Sequence, residues 1–213
     1  IRRSCKSAAT REGRRKRPCD QVAVLVAGSD FGSSMPCLRI QQLVTRHVGP
    51  IELAIGAGEC VCIEGSSGSG KTLLLRAIAD LDPHRGEVRL DDASCTSLPA
   101  PAWRRAVALL VAESQWWSER IRDHFEHGID AAWIERLGLP VAAMDWEVAR
   151  CSTGERQRFA LLRTLMQAPS VLLLDEPTGN LDQDSTRRVE ALLDDTRPDP
   201  DPDSQPRTAG LLG

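Results

Sequence analysis

Apolar and polar positions alternate along residues 38–44, the period of a strand with one buried face. A second β-favouring run covers 59–64 and leads into a glycine-rich turn. Leu73, Leu74, Leu75 and Leu81 then mark a helix over 72–81, so strand, loop and helix follow one another. Residues 86–91, after a turn containing Pro83, predict another strand, paired with the one near residue 40. Residues 103–112 pass from helix to strand. Ile121, Phe125, Trp133, Ile134 and Leu137 recur at helical spacing, which makes 118–148 mainly helical and part of a small helical subdomain over about 115–165. Ser152 and Glu155 have the spacing of a capping box, in which each side chain satisfies an otherwise unpaired amide of the other at a helix start. The helix they open runs to Ala168, and Pro169 ends it. Val171, Leu172, Leu173 and Leu174 form a continuous apolar run, the pattern of a parallel strand covered on both faces, with Asp175 and Glu176 at its C-terminal end. The expected class is α/β, with a mainly parallel sheet, a small antiparallel β part and the inserted helical subdomain.

Composition narrows the function classes. With 213 residues, 41% hydrophobic, 27% charged and a net charge of −3, the chain suits one globular α/β domain with ragged ends, and no nucleic-acid partner is expected. The charge is uneven: eight of the 27 basic residues lie within the first 17 positions, and acids accumulate beyond Asp175. Residues 1–34 are rich in Arg, Ser and Ala without amphipathic pattern, so they read as a disordered basic extension ahead of a start at Met35. The alternative is an Arg-rich targeting segment. Repeated Pro-Asp pairs make 196–213 a tail without packed structure and leave 35–195 as the folded domain. The seven cysteines form no C-x-x-C pair, which predicts reduced thiols in a cytoplasm. No run approaches the roughly 18 apolar residues of a membrane span, so any membrane role must act through a partner. Lys71 is the sole lysine after residue 16 in a chain with three lysines and 24 arginines.

That lysine lies in Gly65-Ser66-Ser67-Gly68-Ser69-Gly70-Lys71-Thr72, which fits G-x-x-x-x-G-K-[ST] with a strand before it and a helix after it. Small residues let backbone amides converge on phosphate oxygens at a positive helix N-terminus. Lys71 adds a cation, and the Thr72 hydroxyl suits Mg²⁺. The apolar strand at 171–174 supplies the second half of such a site. Asp175 would hold the metal through water, and Glu176 would orient and polarise a water for in-line attack on the γ-phosphate of ATP. The architecture is then a P-loop NTPase core, with Lys71 and Glu176 as the catalytic pair.

From Cys151 to Arg158 the chain resembles the LSGGQ signature of the ATP-binding cassette family, and Pro177-Thr178-Gly179-Asn180-Leu181-Asp182 resembles its D-loop. The likeness extends over about 38–193. It implies that Ser152, Gly154 and Glu155 face the γ-phosphate of an ATP bound by a second cassette, so that two chains sandwich two nucleotides. It further implies that a separate integral membrane permease couples hydrolysis to transport, which puts the cassette on the inner face of the cell membrane. The departures are specific. Cys151 and Thr153 replace the usual leucine and glycine. The chain has no tyrosine for the family's adenine platform, which leaves His47 as candidate stacker or else as an exposed loop histidine. Glu113 stands where a Q-loop glutamine is expected. The family's γ-phosphate histidine has no counterpart after His127, from which a chain truncated or frame-shifted after about Leu193 is expected. Trp116 and Trp117 fall where family members meet the membrane subunit, as interface anchors or as packing of the helical subdomain. Two competing readings are a soluble non-transport cassette ATPase acting on nucleic acid or ribosomes, and an ATP-binding remnant with impaired hydrolysis.

Overall fold

The computed structural model describes residues 22–26, 38–126 and 128–196. Its strands are β1 (Val22–Val26), β2 (Leu38–Val44), β3 (Ile51–Ile55), β4 (Cys60–Cys62), β5 (Arg85–Leu90), β6 (Ala93–Ser94), β7 (Val107–Leu110) and β8 (Val171–Asp175). Its α-helices are α1 (Lys71–Ile78), α2 (Ala100–Ala106), α3 (Ala131–Arg136), α4 (Thr153–Leu165) and α5 (Gln183–Asp195).

Two four-stranded sheets form, one in the order β4-β1-β8-β7 and the other β3-β2-β5-β6. The second is antiparallel throughout, and β2 pairs with β5 as the alternation predicts. Within the first sheet β7 and β8 are parallel, and β4 shares their direction because β4 and β8 are both antiparallel to β1. A mainly parallel sheet was the expectation; two of its three adjacent pairings are antiparallel instead. The cause is β1, which comes from the segment expected to be an extension and enters the centre of the sheet, with Val24 opposite both Val61 and Leu173. Parallel neighbours need a crossover helix between them, whereas an apolar strand arriving from outside the αβ units is free to run either way. The remainder of 1–34, and 197–213, lie outside the described residues.

β8 explains the architecture. Its side chains alternate between two cores: Val171 and Leu173 join the core formed with α1, α2 and the antiparallel sheet, and Leu172 and Leu174 join the core under α4 and α5. A strand buried on both faces must be apolar at every position, which is why its sequence is a run and not an alternation. Trp103 of α2 is fully buried in the first core, and its indole N–H donates to the Ile78 carbonyl at 3.0 Å, satisfying a group that the end of α1 leaves open. Trp103→Ala removes both the ring and that bond. It is expected to cost about 3–5 kcal/mol, read as a lowered denaturant midpoint.

Residues 118–148 differ from expectation. Apart from α3 the described residues there hold 3₁₀ turns at Ile121–His124 and Val141–Asp145, a third at Val148–Arg150, and an isolated antiparallel bridge between Arg120 and Glu147. Gly128, Gly138 and Pro140 cut the segment into pieces too short to sustain helix alone. The spacing of Ile121, Ile134 and Leu137 reported burial, since all three lie in the second core. The cysteine expectation also fails at one position. Cys60, Cys95 and Cys151 are thiols, but Cys62 of β4 is disulfide-bonded. Spacing alone does not reveal such a pairing.

Candidate nucleotide site

The loop between β4 and α1 owes its shape to its glycines. Gly68 and Gly70 have φ of +77° and +89°, the left-handed region where a Cβ is strained. Gly65 answers a different need, because a Cβ there would stand 2.6 Å from Ser69 Oγ. α1 begins without a side-chain cap and without an acid of its own in its first turn, so the acid brought to the positive end of its dipole comes from another element. Lys71 Nζ reaches back over the loop and donates to the carbonyls of Gly65 at 2.8 Å and Ser66 at 3.0 Å. It meets carbonyl dipoles there, so its full charge faces the space the loop encloses.

Thr72 and Asp175 are 103 positions apart, and the Thr72 hydroxyl donates to Asp175 Oδ2 at 2.8 Å. α1 contributes the hydroxyl and the end of β8 contributes the carboxylate, which is only 6% exposed. Paired oxygen donors with no sulfur or imidazole fit Mg²⁺, which takes its remaining ligands from water and phosphate. Among the described residues no group of three or more His, Cys, Asp or Glu makes an all-protein metal cage. Glu176 follows Asp175 directly, and its backbone turns out of the sheet with φ +49°. This left-handed conformation in a non-glycine residue separates two adjacent carboxylates, one buried and one exposed. Gly179 N–H donates to the Glu176 carbonyl at 3.2 Å, and a Cβ on Gly179 would lie 3.6 Å from Glu176 Oε2.

At the start of α4 the capping box is complete. Ser152 Oγ accepts from Glu155 N–H at 3.2 Å, and Glu155 Oε2 accepts from Ser152 N–H at 2.7 Å. The side chains of these two candidate ligands are therefore spent on each other, and neither is bonded to the loop at 65–72. A Cβ on Gly154 would meet Asn180 O and Leu181 Cδ2 at 3.3 Å, so Gly154 lets segment 180–181 approach α4. Sequence reasoning missed this contact. Arg158 Nε donates to the Gly154 carbonyl at 3.2 Å, and burial lowers the basicity of the Arg158 guanidinium. Asp182 caps α5 by accepting from Ser185 N–H at 2.8 Å, and that bond holds its carboxyl below the ordinary range.

Glu113 is exposed. The two tryptophans beside it divide the readings given them: Trp116 packs on the second core, whereas Trp117 is 70% exposed. The Arg163 guanidinium carbon lies 4.7 Å from each ring centroid, and His124 meets both rings edge-on. Burial pushes His124 below the ordinary imidazole value; its bond to the Ser118 carbonyl opposes this, and Arg163 adds to it. A depressed histidine favours folding fully above its unfolded pKa of about 6.5, and that favour fades as pH falls below it towards the folded value. The chain is therefore expected to lose more stability between pH 7.5 and 5.5 than a His124→Phe variant. Equal losses in parallel urea melts would refute this.

Comparison with known proteins gives concordant matches. Residues 48–179 match the family model described as ABC transporter. The chain is 31% identical over 188 residues to the phosphonates import ATP-binding protein PhnC 1 of Rhodopseudomonas palustris, covering 73% of this chain and 69% of that one. It is 38% identical over 165 residues to the aliphatic sulfonates import ATP-binding protein SsuB 2 of Mesorhizobium japonicum, covering 74% and 65%. The Fe(3+) ions import ATP-binding protein FbpC of Streptomyces avermitilis is 36% identical over 154 residues, and the chain covers 44% of its length. A solved bacterial Atm1-family ABC exporter with ATP bound shares the fold with a TM-score of 0.63 at 20% identity, over 81% of this chain and 36% of that one.

Proposed function

This chain belongs to the ABC transporter family, and from that premise we propose that it binds and hydrolyses ATP to power transport through a separate membrane subunit. The observation that carries the proposal is the Thr72–Asp175 hydrogen bond, which joins the end of the glycine loop to the end of an apolar strand 103 positions away. Residues 65–70 offer backbone amides to the β- and γ-phosphates, and Lys71 exchanges its two carbonyl bonds for phosphate oxygens. Thr72 and Asp175 would hold Mg²⁺, which neutralises charge developing on the transferred phosphoryl group. Glu176, exposed beside this pair, orients a water and accepts its proton as the water oxygen bonds to the γ-phosphorus and the bond to the β-phosphate oxygen breaks.

The start of α4 supports a role towards a second copy or a related cassette. With the Ser152 and Glu155 side chains engaged in the capping box, the amides of Thr153 and Gly154 are left to meet the partner's γ-phosphate. Trp117 and Glu113 form the exposed edge proposed to meet the permease, which would hold the chain on the inner face of the membrane. No helix among the described residues is long and apolar enough to cross a bilayer itself. The folded unit proposed is 35–195 together with β1. Steady-state hydrolysis of MgATP by the full chain tests the reading: turnover supports it, and failure to bind MgATP at all refutes it.

A further inference from the structure

The direction of β1 decides where the chain ahead of it starts from. β1 is antiparallel to both of its neighbours, with Val22 opposite Asp175 and Ala23 opposite Cys62. Its first residue, not its last, is therefore at the end of the sheet where β8 delivers Asp175 and Glu176. At the same end β4 runs on into the loop that opens at Gly65. Had β1 run parallel to β8, the chain ahead of it would have left from the opposite end. As it is, that chain leaves between the two halves of the nucleotide site, with β4 on one side and β8 on the other.

The charges at that exit do not balance. Within 63–72 and 171–179 the acids are Glu64, Asp175 and Glu176, and Lys71 is the single cation. A triphosphate adds more negative charge than Mg²⁺ and Lys71 together remove. The sequence ahead of Val22 carries the opposite sign: Arg14-Arg15-Lys16-Arg17, with Asp20 as the one acid between this run and the strand. Arg17 is five positions before Val22. A chain spans at most about 3.6 Å per residue, so the two Cα atoms stay within about 18 Å of each other whatever path the intervening residues take. A tether this short holds the run at an effective concentration on the order of millimolar, enough for a weak contact to count. Guanidinium groups suit the task, because their forked donors match the oxygens of a phosphate. The phosphate nearest this exit is the one beside Glu176, which is the terminal one in the arrangement proposed above.

We propose that residues 14–17 close over this end of the sheet and bind the γ-phosphate of the nucleotide held at 65–72, a cationic clamp supplied by the segment ahead of β1. This rests on the reading of 65–72 as the triphosphate site. The clamp separates ATP from ADP, because hydrolysis removes the group it holds. The test is competition of MgATP and MgADP against a fluorescent nucleotide, on the full chain and on the fourfold variant Arg14→Gln, Arg15→Gln, Lys16→Gln, Arg17→Gln. The variant is expected to bind ATP about tenfold more weakly, the order of one charge-assisted bond, and ADP within about threefold of the natural chain. Its thermal transition should be unchanged, since β1 is intact. A second readout needs no variant: ATP carrying a photoreactive azide on its γ-phosphate should label the full chain within 14–21. Equal weakening of ATP and ADP, or weakening of neither, overturns the clamp, as does a label confined to residues outside 14–21. RNA binding lost in the variant with an unchanged ratio of ATP to ADP affinity assigns the run to nucleic acid and also overturns it. A full chain that binds neither nucleotide overturns the triphosphate site, and the clamp with it.

Discussion

A chain begun at Met35 should fail to fold. β1 lies between β4 and β8, paired at three positions with one and five with the other, so its removal opens two unpaired strand edges in the middle of a sheet. It also removes Val24, which is fully buried in the first core. At about 1 kcal/mol net for each ladder hydrogen bond and about 2 kcal/mol for the valine, the loss rivals the 5–15 kcal/mol that holds an ordinary domain together. Insoluble product, or soluble product without a cooperative thermal transition, is the expected outcome. A 35–213 chain that melts within a few degrees of the full chain would show that β1 contributes little.

Glu176→Gln should separate binding from turnover. Gln has the same shape and tolerates the left-handed backbone of this position no worse than Glu, but its amide accepts no proton. Steady-state ATP hydrolysis is expected to fall by about 10²–10⁴-fold, while MgATP affinity stays within about threefold. A variant that hydrolyses at the natural rate would remove Glu176 from the catalytic role. One that no longer binds would mean the residue serves the fold of the 176–179 turn, where Gly179 N–H bonds its carbonyl.

The parts legible from sequence were those whose cause is local. Eight consecutive residues announce the glycine loop because each glycine answers a backbone demand within the loop itself. The apolar run at 171–174 announces a strand buried on both faces, and β8 alternates between two cores. The capping box at Ser152 and Glu155 is local in the same way. The parts that escaped are set by distant neighbours. Val22–Val26 is apolar enough to be a strand, but nothing in it says that two partners 35 and 150 positions downstream will receive it, or in which direction. The apolar spacing over 118–148 marked which side chains are buried while leaving the backbone open, and glycine and proline resolved it into turns. Val48 against Gly70 depends on how one loop settles on another, which no pattern within 45–48 encodes.

The central position of β1 also sets a timetable for biosynthesis. β1 is the first described element to leave the ribosome, yet β8, the strand with which it makes its longer ladder, emerges about 145 residues later. At ordinary elongation rates of about 5–20 residues per second, an apolar pentapeptide waits on the order of 10–30 s with one edge unpaired. A nascent chain of this design is a natural client for a ribosome-associated holdase, and slowing translation would lengthen its exposure to aggregation, not relieve it.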